Sequence, residues 1–102
     1  MGLIDHYDGF DWDDGNRFKN LEKHNVTCDE IEQAFSNDPI FVYDDVEHSE
    51  TEIRMEADAK TDSERQLFLG YTIRRNLIRP ITARDAHETE RKRYNEAVER
   101  NS

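Results

Sequence analysis

The sequence predicts a single α+β domain: an antiparallel meander sheet packed by helices, in the order β-α-α-β-β-β-β-α, ending in a C-terminal helix. Three observations lead to this fold class. A chain of 102 residues has the length of one domain. Its 34% hydrophobic content and ten aromatic residues suffice for one modest core. The hydrophobic period also changes from helical to alternating near residue 40 and back again after residue 82. We place the domain at residues 9–98, between tails at 1–8 and 99–102.

The first third of the chain predicts a short strand at 9–14 followed by two helices. The two aromatics of the strand alternate with acidic residues, and Asn25 suits the left-handed cap that ends the first helix. Thr27 has the N-cap position of the second helix, with Glu30 completing a capping box. The apolar stripe of this helix consists of Ile31, Ala34 and Phe35.

Four strands are predicted next, because apolar residues recur at every second position. Residues 40–43 form the first strand, and an acidic turn at 44–50 follows it. The second strand buries Ile53, Met55, Ala57 and Ala59 and exposes Glu52, Arg54, Glu56 and Asp58. After a turn at 61–64, the third strand faces inward with Leu67, Leu69, Tyr71 and Ile73. A turn at 74–76 leads to the fourth strand, 77–82, where a mid-strand Pro80 indicates a sheet edge.

The last helix is predicted to begin at Thr82 as N-cap, with Asp85 at the capping-box position, and to run to about Val98. This start places Arg84 near a helix N-terminus, where the helix dipole disfavours a cation but favours a bound phosphate.

Charge is distributed unevenly along the chain. Residues 1–64 hold 19 acidic and 5 basic residues, a net charge of −14. Residues 65–102 hold 5 acidic and 9 basic residues, a net charge of +4. The total of −10 argues against a general nucleic-acid binder, because long-range attraction to phosphate is reversed. The basic corner 79–93 can still form a local phosphate site, since ten of the fourteen basic residues are arginines.

Several classes of protein are excluded. The single Cys28 allows no internal disulfide, and no histidine pair has metal-ligand spacing, so we expect no metal and no cofactor. No apolar run approaches the ~20 residues of a membrane helix, and the start has no signal-peptide pattern. We therefore expect a cytoplasmic protein that does not bind membranes.

Four blocks of sequence, in order, resemble the BrnT toxins of the RelE/ParE-like superfamily. They are FDWDDGNRFKNLEKHNV (10–26), NDPIFVYDD (37–45), HSETEIR (48–54) and IRPITARDAHETERKRY (78–94). The resemblance implies a RelE-like fold, metal-independent endoribonuclease activity and inhibition of translation. It also implies a hetero-oligomer with a BrnA-like antitoxin, a DNA-binding protein expected to be of ribbon-helix-helix type, through which alone the toxin would reach operator DNA.

The resemblance also assigns catalytic roles. Such an RNA cleavage uses the ribose 2′-hydroxyl as nucleophile, so the enzyme supplies a proton acceptor, a proton donor and cations for the phosphorane. Arg79 and Arg84 match the arginines of the family's last block, and Arg54 matches the one after its "HSE" triplet. Lys23 and His24 match a "KH" pair, and either would handle protons. Arg91, Arg93 and Tyr94 are candidates for RNA binding.

Each of these residues has a structural alternative. Arg79 can be a strand arginine paired with the acidic part of the chain, and Arg54 can form an exposed cross-strand ion pair. His24 can interact with the last carbonyls of its helix, and Tyr94 can anchor the last helix in the core.

A second function stays open, namely a catalytically weak or inactive BrnT-like module that pairs with an antitoxin and regulates an operon. Asp85 favours it, because the family commonly has a basic residue there, and so does the acidic total charge. That acidity is also typical of proteins from a high-salt host.

Overall fold

The computed structural model describes residues 2–45 and 52–101. Their helices and strands, in chain order, are a 3-10 helix at Leu3–His6, α1 (Asp14–Arg17), α2 (Lys19–His24), α3 (Cys28–Ser36), β1 (Phe41–Asp44), β2 (Arg54–Lys60), β3 (Gln66–Arg74), β4 (Leu77–Asp85) and α4 (Glu88–Arg100). In this part of the chain, no helix is long and apolar enough to cross a membrane.

The four strands form one antiparallel sheet in the order β1-β2-β3-β4, which confirms the meander. Because side chains alternate along each strand, Leu67, Leu69 and Tyr71 lie on one face, and α3 packs over it with Phe35 edge-on to Tyr71. Helix α4 packs on the opposite face, where Tyr94 meets Phe41. The sheet therefore lies between two helical layers, and α4 covers part of the second face.

The predicted helix signals between residues 25 and 36 are confirmed. Asn25 has a φ of 56° and ends α2 in the left-handed conformation. Thr27 and Glu30 form the reciprocal capping box of α3, and the residues of its apolar stripe are buried. The turn between β3 and β4 is also confirmed, with φ values of 52° and 63° at Arg75 and Asn76. Positive φ at both central residues matches the right-handed twist of the two strands.

The predicted strand at residues 9–14 is wrong. Phe10 makes a single parallel bridge to Ile78, with hydrogen bonds from Ile78 N to Gly9 O and from Asp11 N to Ile78 O. The extended run stops there because Asp13 turns the chain into α1, accepting hydrogen bonds from the first backbone N–H groups of that helix. The helix that follows is also divided at Phe18 into α1 and α2.

Two predicted residues of β2 are placed wrongly. Ile53 is 74% exposed and precedes the strand, whereas Asp58 is only 2% exposed. Asp58 can be buried because both of its carboxylate oxygens accept hydrogen bonds from Arg93 of α4, at 2.6 and 2.8 Å.

The predicted start of the last helix is wrong as well. Thr82 and Asp85 belong to β4, and α4 begins after His87, whose backbone N–H donates to Glu90. The ladder continues to Asp85 because a register shift at Gly70/Tyr71 accommodates one extra residue of β4 beside Pro80. Pro80 lies on an edge strand, as its missing N–H required.

The two ends of the chain and the loop after β1 complete the fold. Leu3, Ile4 and Tyr7 are partly buried and pack against the core, and α4 extends to Arg100. The domain boundaries at residues 9 and 98 stay a prediction. Most of the predicted acidic turn at 44–50 lies outside the described residues.

Candidate functional site

Three of the predicted arginines share one face of the sheet. We call this the outer face, the face turned away from α3, and define it by Arg54, Phe68, Thr72, Arg79 and Arg84. Arg54 and Arg79 both pair with Thr72 in the register, on β2 and β4 respectively. Their Cα atoms are thus two strand spacings apart, about 10 Å, close enough for both guanidinium groups to reach one phosphate.

Arg79 is held by the loop before α1. Its Nη2 donates to Asp13 Oδ2 at 2.8 Å, and its Nη1 lies 3.6 Å from Asp11 Oδ2. The hydrogen bond from Arg79 lowers the pKa of the Asp13 carboxyl, and the backbone N–H groups of Asn16 and Gly15 lower it further. The structural alternative of a strand arginine bound to acidic residues therefore describes the ground state of Arg79.

A third arginine, which sequence reasoning placed only in a turn, joins this end of the outer face. Arg74 binds both carboxylate oxygens of Glu52, at 3.1 and 3.2 Å. The pKa of Glu52 is lowered first by this hydrogen-bonded pair and also by the charges of Arg79 and Arg54. One guanidinium group thus binds this carboxylate, and two more are near enough for their charges to act on it. The alternation of Thr72 and Arg74 along β3 was the signal available in the sequence.

Arg84 lies on the outer face opposite Phe68, about 15 Å along β4 from Arg79. Its Cζ is 4.4 Å from the centre of the Phe68 ring, and it donates to both carboxylate oxygens of Glu90 at 2.8 and 2.9 Å. Burial raises the pKa of Glu90, but the hydrogen bonds from Arg84 and His87 N outweigh it and lower the pKa overall. Arg84 is thus a strand residue, and the argument from a helix N-terminus does not apply to it.

Lys23 and His24 lie at the end of α2, beside β4. Helix α2 runs along the outer edge of this strand, because Asn20 Oδ1 accepts a hydrogen bond from Ala83 N at 3.0 Å. His24 is one helical turn beyond Asn20, and its charge is among those that lower the pKa of Asp85. His24 therefore lies at the end of β4 that carries Arg84. His24 is half-buried, whereas the neighbouring Lys23 is exposed.

Asp85 points away from the outer face, because it alternates with Arg84 along the strand. Its two oxygens accept hydrogen bonds from Arg65 Nε and Nη2, at 2.6 and 3.1 Å. Arg65 also donates to Glu30 and to the carbonyls of His24 and Asn25. Sequence reasoning missed Arg65, since nothing local marks an arginine whose four partner residues come from three distant segments.

The three candidates on α4 have different surroundings. Arg93 binds Asp58 and lies over the Tyr43 ring at 4.3 Å, so it fastens α4 to the sheet. Tyr94 is buried and donates its hydroxyl to Pro39 O at 3.0 Å, which is the core position foreseen as its alternative. Arg91 is exposed and donates to Ala86 O at 2.6 Å.

The arrangement suits an anionic ligand better than a cation. No group of three or more potential metal ligands occurs within residues 2–45 and 52–101. The outer face instead carries guanidinium groups, which bind phosphate through paired hydrogen bonds, and an aromatic ring beside one of them. These are the groups that contact a nucleic-acid strand.

Comparison with known families agrees with this chemistry. A family model described as "Ribonuclease toxin, BrnT, of type II toxin-antitoxin system" matches residues 12–90. No curated protein matches the chain. The match spans the loop that holds Arg79, all four strands and the start of α4.

Proposed function

Because the chain belongs to the BrnT family of ribonuclease toxins of type II toxin–antitoxin systems, we propose that it is a metal-independent endoribonuclease that inhibits translation in the cytoplasm. Its antitoxin would be a BrnA-like, DNA-binding protein of ribbon-helix-helix type. The RelE-like assignment of the fold is part of the same proposal.

One observation carries the proposal. Arg54, Arg79 and Arg84, each predicted from a different position in the family pattern, lie on the same face of one sheet. Core packing does not require this, because the apolar core lies on the other face. A face that concentrates arginines in a chain of net charge −10 is most simply explained by an anionic ligand.

In the proposed reaction, the 2′-oxygen of a ribose attacks the adjacent phosphorus and the bond from phosphorus to the 5′-oxygen breaks. His24 or Lys23 takes the 2′-hydroxyl proton, and a proton is delivered to the leaving 5′-oxygen. The products are a 2′,3′-cyclic phosphate and a 5′-hydroxyl. Arg79 and Arg84 would stabilise the charge that grows on the phosphoryl oxygens, with Arg54 assisting. Phe68, beside Arg84, and the exposed Arg91 would contact neighbouring nucleotides.

The acidic total charge argues against RNA binding, so the positions of the carboxylates of Asp85 and Glu90 near Arg84 matter. Asp85 is bound by Arg65 on the opposite face, so it does not compete with phosphate for Arg84. Glu90 does hold Arg84, so RNA must replace a carboxylate by a phosphate there. Such an exchange keeps Arg84 paired. Before RNA arrives, the pair with Glu90 orients the guanidinium group.

A binding module without catalysis remains the second candidate, because one observation favours it. Arg79, Arg84 and Arg93 each already have a carboxylate partner within 3 Å. A degenerate toxin that only binds its antitoxin would be expected to satisfy its arginines in this way.

Cleavage of an end-labelled single-stranded RNA in EDTA separates the two candidates. We expect specific cuts by the wild type, and a loss of about 10²–10³ in rate for Arg79→Ala and for Arg84→Ala, since each removes a charge donor. Arg100→Ala, which removes the same charge at the end of α4, should cut like the wild type. Well-folded wild-type protein that makes no cuts at any salt concentration would favour the binding module.

Lys23 and His24 can be separated in the same assay. If His24 takes the proton, His24→Gln loses activity, while Lys23→Gln keeps it. The reverse pattern would assign the role to Lys23.

A further inference from the structure

The two edges of the sheet differ in how they are covered. The outer edge of β4 exchanges hydrogen bonds with the segment that contains Gly9 and Asp11, and Ala83 N donates to Asn20 further along. Strand β1 pairs with β2 on one side, and within residues 2–45 and 52–101 its other side has no backbone partner. In an edge strand, the backbone N–H and C=O groups of every second residue point away from the sheet. Strand β1 therefore offers roughly two N–H and two C=O groups to a further strand.

An apolar groove lies directly beside this edge. It has a volume of about 440 Å³, and its wall is formed by Leu3, Tyr7, Val42, Ile53 and Met55. Val42 is 37% exposed and Ile53 is 74% exposed, unusually high values for aliphatic residues next to a core. In the register, Val42 and Met55 belong to the core face, so the groove continues the core out to the β1 edge.

An unpaired edge beside an apolar groove is the arrangement used for strand addition. The main chain of an incoming segment pairs with the edge, and its alternate side chains enter the groove. Another apolar groove, about 500 Å³ between α2 and α3, has no strand residue in its wall and so offers no strand edge. Its wall includes Phe18 and Leu21. Trp12 also lines it, and the indole N–H of this residue already donates to Glu32.

Charge decides between two possible occupants. A second copy of this chain would bring together two molecules of net charge −10, and β1 itself ends in Asp44, followed by Asp45. Like charges at this edge oppose self-pairing, whereas they favour a strand flanked by Lys or Arg.

We propose that the β1 edge and its groove bind an extended segment of the antitoxin, with apolar side chains at alternate positions and a basic residue beside Asp44. This inference rests on the proposed function only in that the chain has a protein antitoxin, as its family does. It places the antitoxin at the opposite edge of the sheet from Arg79 and Arg84. Inhibition would then come from a further part of the antitoxin that extends over the outer face.

The test measures binding of the full-length antitoxin encoded beside this chain by calorimetry, in the absence of RNA. Val42→Arg should raise Kd at least tenfold, because it puts a long cation at the mouth of the groove, where an apolar side chain of the antitoxin would lie. Leu21→Arg, the matched change in the other groove, should bind like the wild type. A normal Kd for Val42→Arg together with weak binding by Leu21→Arg would overturn the proposal.

Two further measurements keep the test decisive. Hydrogen exchange on the wild-type pair should show new protection of the β1 amides in the complex, and unchanged exchange there would contradict the proposal even if Val42→Arg did not fold. Without the antitoxin, Val42→Arg should cleave RNA at the rate of the wild type. With the antitoxin added, its activity should be inhibited less than that of the wild type. Binding is measured without RNA. A wild type that does not cleave RNA would therefore overturn the proposed ribonuclease activity, while the binding result would still test the antitoxin site. A wild-type dimer that Val42→Arg dissociates would assign the edge to a second copy instead.

Discussion

At the scale of single residues, arginine–carboxylate pairs decide where the charges of this chain lie. Asp58 is 2% exposed and is accommodated by two hydrogen bonds from Arg93. Arg79 and Arg84 each have a pair of 2.8 Å, and their partners Asp13 and Glu90 are less buried than Asp58. The buried pair fastens α4 to the sheet, whereas the other two join the arginines of the outer face to the loop before α1 and to α4.

Removing Arg93 should therefore cost stability. Arg93→Ala leaves the Asp58 carboxylate buried without a partner, and we expect the free energy of unfolding to fall by about 3 kcal/mol, the low end for a broken buried pair because Arg93 is partly exposed. Urea unfolding followed by circular dichroism measures this. Lys92→Ala, the exposed neighbour on the same helix, should change the value by less than about 0.5 kcal/mol. Equal losses in the two variants would mean that the Asp58 pair does not fasten α4.

At the scale of elements, Arg65 joins segments that are far apart in the sequence. Its guanidinium group contacts the carbonyls that end α2, Glu30 in the first turn of α3, and Asp85 at the end of β4. The hydrogen bond from Arg65 lowers the pKa of the Asp85 carboxyl, against the opposing effect of burial. The corner where α2, α3 and β4 meet thus depends on one cation.

This corner should lose stability in acid. Because the pKa of Asp85 is lower in the folded state than in the unfolded state, its contribution is present above the ordinary carboxyl pKa of about 4 and is lost as pH falls through the lowered value. Arg65→Gln should reduce the free energy of unfolding by about 2 kcal/mol at pH 7. It should also reduce the further loss between pH 5 and pH 2, measured by urea unfolding at each pH. A variant with the wild-type acid dependence would contradict the role of the pair.

At the scale of the whole molecule, the acidic total charge opposes the basic local site. The net charge is −10, yet Arg54, Arg74 and Arg79 gather at one end of the outer face and Arg84 lies at the other. If RNA binds at the outer face as proposed, long-range repulsion should slow its approach, whereas short-range guanidinium contacts should hold it once bound. The two effects respond to salt in opposite directions.

A salt series should therefore give a maximum. We expect kcat/KM for a short RNA to rise severalfold as monovalent salt increases from ~10 to ~100 mM, where the Debye length shortens to about 10 Å, and to fall at higher salt. Glu96→Lys, on the exposed side of α4, should raise the value at low salt only. A steady decline from the lowest salt, as for a basic nuclease, would contradict this account of the charge.

The sequence was informative where signals are local, and it failed where distant segments decide. Caps such as Thr27 and the alternation of Leu67, Leu69 and Tyr71 depend on near neighbours, and both were confirmed. The burial of Asp58 depends on an arginine 35 residues away, and the extension of β4 to Asp85 depends on a bulge opposite Gly70. Local patterns therefore gave the correct face but the wrong exposure for Asp58, and the wrong helix start for Arg84.

For the candidate site, residue types were predictable but their grouping was not. The family pattern supplied Arg54, Arg79 and Arg84, and only the strand register places them on one face. Strand alternation could have placed Arg74 on the same face, whereas Arg65 carries no local motif and its role emerges from contacts alone. The roles of Lys23 and His24 stay predictions.

Nuclear magnetic resonance of the arginine side chains can show whether the outer-face arginines form the RNA site. A short 2′-O-methyl RNA, which cannot be cleaved by 2′-hydroxyl attack, would be titrated into the protein in EDTA while the Nε–H signals are followed. We expect the signals of Arg54, Arg79 and Arg84 to shift together with one Kd, while those of Arg65 and Arg100 stay unchanged. Shifts confined to α4, or none at RNA concentrations that support cleavage, would contradict it.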